Sequence, residues 1–152
     1  LMLANTLLGG GMSSRLFQRI REELALVYAV YAFQSFHVDA GAHGVYLATA
    51  PETARQAIAA VRDELARLAA EGIPAGELLH GKQQIKGQIT LSMESVSSRM
   101  YRAAGVELFG EPYTPLDDVL ARIDAITETE VREVCACFFP PERQTVVSLG
   151  PA

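Results

Sequence analysis

A chain of 152 residues, 49% hydrophobic and 20% charged, is one domain's worth of polypeptide and long enough to bury a core. The net charge is −5, and the basic residues, mostly arginines, are scattered among carboxylates without forming a stripe. This argues against nucleic acid or an anionic membrane as a partner, and no run approaches the roughly 20 apolar residues of a membrane span.

In chain order, residues 1–8 read as the last turns of a buried apolar helix, stopped by Gly9, Gly10 and Gly11. The start "LMLANTLLGGG" lacks the charged region and cleavage site of a secretory leader. It suggests a piece of a longer, cytoplasmic rather than secreted protein. Ser13 or Ser14 can cap a helix over 14–24, with Leu16, Phe17, Ile20 and Leu24 on its apolar face. "YAVYAFQSFH", 28–37, predicts a strand, Asp39 and Gly41 a turn, and "HGVYLATA", 43–50, the returning strand.

Pro51 suits the first position of a helix carrying Ile58, Val61, Leu65 and Leu68 and ending near Gly72. Pro74 starts another, through Leu78, Ile85 and Ile89 towards Met93, with a break at 95–98. Thr114-Pro115 with Asp117 marks a further N-terminus. "TETE", 127–130, is a capping box before Val131, Val134 and Phe138, and Pro140-Pro141 ends that helix. "TVVSLG", 145–150, reads as a last strand. The class predicted is α+β, a single domain over 1–152 with helices on one face of a mixed or antiparallel sheet, short of strands at its front. An unpaired sheet edge should then favour a homo-oligomer.

Chemistry is harder to find. His37, His43 and His80 belong to no zinc pattern, and His37 and His43 read as surface imidazoles. Glu77 and His80 share a helix face and read as solvated. Cys135 and Cys137, at i and i+2, face different ways and read as small core residues. No phosphate-binding loop or nucleophile elbow is present. What remains is Arg21, Tyr28 and the triple glycine. Arginine offers a rigid fork of donors, tyrosine a hydroxyl, and glycine a close backbone approach. On spacing alone, the plainer reading is favoured: Arg21 pairs with Glu22 or Glu23, Tyr28 half-packs on the sheet, and the glycines stop a helix.

The stretch "LGGGMSSRLFQRIREELALVYAVYAF" resembles the start of the second homologous half of pitrilysin/insulinase-type zinc metallopeptidases, in the mitochondrial-processing-peptidase-like branch. Its glycine run, M-S-S-R-L-F, and an arginine followed seven residues later by a tyrosine fall at Gly9–Gly11, Met12–Phe17, Arg21 and Tyr28. "ATAPE", "KQQIKGQITLSMESVSSRM", "RIDAITETEV" and "VVSLGP" follow in the family's order, so the resemblance covers nearly the whole chain.

The resemblance implies a metal-free half that binds substrate and closes a chamber, while a companion zinc-bearing domain or subunit supplies H-x-x-E-H, the zinc and the activated water. Within this chain it implies no catalytic or metal-binding residue and no bound cofactor. Arg21 and Tyr28 would contact peptide near the scissile bond, and Gly9, Gly10 and Gly11 would help recognise substrate. It also admits a scaffold subunit without activity. One departure stands out: Glu22-Glu23-Leu24-Ala25 replaces the basic residues and glycine usual between that arginine and tyrosine. A helix-ending residue of positive φ favours glycine, and alanine there costs roughly 1 kcal/mol.

Overall fold

The computed structural model describes residues 1–150. Helix α1 spans Met2–Gly9, a π-helix spans Phe17–Glu23, and a hairpin follows, β1 at Ala29–Phe36 and β2 at Gly41–Ala48. Five α-helices follow, α2 (Ala54–Glu71), α3 (Ala75–Ser92), α4 (Val96–Phe109), α5 (Leu116–Ala125) and α6 (Glu128–Phe138), and then a 3-10 turn at Pro141–Arg143. This is the expected α+β class, with an antiparallel β1–β2 sheet.

Alternation sorts the hairpin into two faces. Val30, Ala32, Val45 and Leu47 turn towards the helical core. Tyr31 and Tyr46 pair across the other face with ring centroids 5.0 Å apart, and Phe33 lies on Gly44. On the helical side α1 lies against β1, because Leu3, Ala4 and Leu8 are buried and Asn5 donates to the Ala32 carbonyl. Helix α2 adds Ala57, Val61, Leu65 and Leu68 at three- and four-residue spacing, and α6 adds Val131 and Cys135. Gly81 lets α3 approach α1, since a Cβ there would meet the Leu7 side chain at 2.8 Å.

Capping follows the sequence expectation at α6, whereas the break expected at 95–98 falls before Val96, where α4 already begins. Thr127 and Glu130 exchange both bonds of the capping box, and Ser95 caps α4. Elsewhere the structure departs from expectation. Ser14 does not cap a helix; its hydroxyl donates to the Gly11 carbonyl at 2.6 Å. Helix α2 begins at Ala54 rather than Pro51, because Pro51–Thr53 form a turn that sends the Thr53 hydroxyl back to Leu26. The segment 145–150 is not a strand. A groove of about 880 Å³, lined by Val45, Leu47, Ile58, Phe138 and residues of that segment, separates it from β2. A strand needs a partner for its ladder, and among the described residues none pairs with this segment.

Two side-chain assignments change as well. Cys135 is buried, and burial pushes its thiol up, whereas Cys137 is exposed rather than in the core. His43 is not a surface imidazole: it packs on Phe139 at 5.1 Å, and burial holds it below the ordinary imidazole range. It stands opposite Gln34 on β1, while His37 is engaged with Ser35.

Candidate functional site

The three glycines have separate roles. A Cβ on Gly9 would lie 2.3 Å from the Ala32 backbone nitrogen, so the contact of α1 with β1 requires glycine. A Cβ on Gly10 would crowd the backbone of Thr6 in the turn just passed. Gly11 is open, with only Gln84 Nε2 at 3.6 Å. Gly10 and Gly11 are exposed and available to a ligand, and Gly9 is buried.

After them the chain winds more widely than an α-helix. Leu24 N–H reaches the Arg19 carbonyl at 3.1 Å and Leu26 N–H the Ile20 carbonyl at 3.0 Å. Leu16, Ile20 and Leu24 recur every four residues, and a wide turn with i→i+5 bonds keeps all three directed inward; Leu16 and Ile20 are fully buried. The α-helix expected over 14–24 is therefore a π-helix, a form that is often found at functional sites. The same winding stacks the Arg21 guanidinium over the Phe17 ring, 4.7 Å from its centroid. Arg19 takes Glu23 at 2.6 Å, and Arg21 pairs with neither Glu22 nor Glu23 among the described residues.

Ala25 closes the π-helix at φ 49°, the left-handed conformation that ordinarily calls for glycine. The departure from the family pattern is absorbed as backbone strain at Ala25. Ala25→Gly is therefore expected to stabilise the domain by about 0.5–1 kcal/mol, the relieved left-handed penalty less glycine's entropy. Urea unfolding checks this; an unchanged midpoint would mean the strain is negligible. Beyond Ala25 the Leu26 carbonyl is held by the hydroxyls of Thr49 at 2.5 Å and Thr53 at 3.3 Å. Tyr28 N–H then joins the Ala48 carbonyl at 2.8 Å, and its ring is 74% exposed. Among the described residues, neither the Arg21 guanidinium nor the Tyr28 hydroxyl has an intramolecular hydrogen-bond or ion-pair partner.

Sequence reasoning missed Arg15 as a site residue. It donates through Nε and Nη2 to both Glu77 oxygens, at 2.8 and 3.0 Å, and through Nη1 to Glu64 at 3.0 Å. Glu64 is buried and also pairs with Arg67. Burial opposes the charge on Arg15, but the Glu77 and Glu64 carboxylates outweigh it and its pKa rises. Glu77 is thus not a solvated partner of His80. Its link to Arg15 spans 62 residues, and no local spacing could have revealed it.

Among the described residues, no group of three His, Cys, Asp or Glu side chains could hold a metal ion, and no helix is long and apolar enough to cross a membrane. The donors present do not fit a zinc site. Fold and donors together define a class: an α+β domain that gathers no metal-ligand group among its described residues and exposes an arginine and a tyrosine around one helix–strand junction. Residues 1–85 match the family model described as the peptidase M16 inactive domain, and the chain belongs to that family of zinc metallopeptidases.

The chain is 39% identical over 130 residues to an uncharacterized zinc protease of Streptomyces coelicolor, covering 86% of this chain and 28% of that protein. It is 35% identical over 139 residues to an uncharacterized zinc protease of Bacillus subtilis, covering 91% and 34%. It therefore spans about a third of the length of these relatives. Its fold is that of the crystal structure of a peptidase M16 inactive domain from Pseudomonas fluorescens, with TM-score 0.76, 24% identity, and 90% of this chain and 32% of that one covered.

Proposed function

We propose that this chain is the C-terminal portion of the metal-free half of a zinc-dependent endopeptidase, where it binds peptide or unfolded segments and closes a chamber. The observation that carries the reading is the exposure of Arg21 and Tyr28, whose polar groups have no hydrogen-bond or ion-pair partner among the described residues, on a backbone tied at both ends. A guanidinium and a phenol are suited to hold peptide carbonyls and to stabilise the oxyanion formed when water adds to one. Zinc belongs to a companion domain or subunit, consistent with the names of the relatives. Gly10 and Gly11 would face substrate, and Gly9 would support them from within. A homo-oligomer through the free edges of the β1–β2 hairpin belongs to the same proposal.

A second reading, a scaffold subunit without activity, draws on the exposed Glu22 beside Arg21 and on the alanine at position 25. Cleavage of quenched fluorescent casein by the full-length protein with its companion distinguishes the two. Activity abolished by chelator and restored by zinc supports the peptidase. A zinc-loaded assembly that cleaves nothing supports the scaffold.

A further inference from the structure

We propose that Arg15 is the positioning residue for Arg21 and Tyr28. This rests on the reading of those two as a substrate clamp. The clamp lies on a bridge of chain that leaves α1 at Gly9 and enters the sheet at Ala29. Between them, side-chain hydrogen bonds are mostly local: Ser14 to Gly11, Gln18 to Met12, Arg19 to Glu23.

Among the described residues, Arg15 makes the polar side-chain contacts that tie residues 11–24 to the helices behind. Its fork grips Glu77 on α3 with two bonds and Glu64 on α2 with a third, so one side chain fixes three elements. The far end is held at the Leu26 carbonyl by Thr49 and Thr53. Between these anchors stand the π-helix and the left-handed Ala25, a strained path that can relax towards an ordinary α-helix if one end slips. Such a change alters the turn on which Arg21 stands, and with it the spacing between guanidinium and phenol.

Lysine in place of Arg15 keeps the charge facing the two glutamates but loses the bidentate fork. Glu77→Gln keeps one acceptor and weakens the grip from the other side, at a residue outside the clamp. In the full-length protein with its companion, cleaving quenched casein, Arg15→Lys is expected to lower kcat/KM about tenfold, and Glu77→Gln to act in the same direction. In a background already carrying Arg21→Ala and Tyr28→Phe, either change should cost no more than about twofold, because the groups being positioned are gone. Amide exchange at Leu24, which reports an i→i+5 bond, and at Leu26, which closes the end of the π-helix on Ile20, should speed up in Arg15→Lys.

Equal losses in both backgrounds would make Arg15 a purely structural residue and overturn the inference. So would wild-type kinetics in Arg15→Lys while Arg21→Ala is impaired. If Arg21→Ala with Tyr28→Phe leaves turnover unchanged, the clamp reading itself fails, and Arg15 has nothing to position.

Discussion

Replacing Arg21 with alanine, or Tyr28 with phenylalanine, in the assembled full-length protein is expected to lower kcat about 10²–10³-fold, the usual cost of one oxyanion donor. The melting temperature should stay within about 2 °C, because exposed side chains without internal hydrogen bonds or ion pairs contribute little to the fold. Stability and turnover thus separate at these residues. The stacking of Arg21 on Phe17 adds little to the fold but restrains the guanidinium. Arg21→Lys should accordingly recover only part of the rate, since an ammonium cannot present the planar fork. If both donors serve one developing charge, the double variant will lose less than the product of the single losses. A fall in kcat at constant KM assigns the donors to the transition state, and a rise in KM alone to ground-state carbonyl binding. Wild-type kcat and KM in both variants would return the pair to ordinary surface chemistry.

The second large effect concerns stability. Gly9→Ala is expected to destabilise the domain by about 3 kcal/mol, the upper end for overpacking, because its Cβ would meet backbone rather than a flexible side chain. For a domain of this size, that lowers the melting temperature by about 6–12 °C. Gly11→Ala, two residues on, has room for its methyl and should stay within about 0.5 kcal/mol of wild type. Urea unfolding of the pair tests whether the glycine run is one recognition loop or a packing residue followed by a loop. Equal midpoints for the two variants would reject the packing role of Gly9. A strong loss of turnover in Gly11→Ala without loss of stability would mark the exposed part of the run as substrate-facing.

Much of this molecule is written locally. The three- and four-residue apolar spacing of α2, the capping box at Thr127 and Glu130, the break before α4 and the alternation of the hairpin all act within a few residues, where periodicity and hydrogen-bond stereochemistry suffice. The left-handed residue between Arg21 and Tyr28 was also legible, because the alanine stands where the family pattern has glycine. The family resemblance, not the spacing, marked Arg21 and Tyr28 as a candidate pair, and local spacing did not show that Arg21 stacks on Phe17 while Arg19 takes Glu23.

Other features depend on residues far apart in the chain. The tie of Arg15 to Glu64 and Glu77 crosses 49 and 62 residues, and the need for glycine at position 9 is set by Ala32 of β1. The segment 145–150 has the composition of a strand, but a strand exists only where a neighbour completes its ladder, and β2 stands across a groove from it. Propensity and periodicity are properties of neighbours along the chain and can be read from it directly. Contact, burial and pairing belong to neighbours in space, and only folding brings those together.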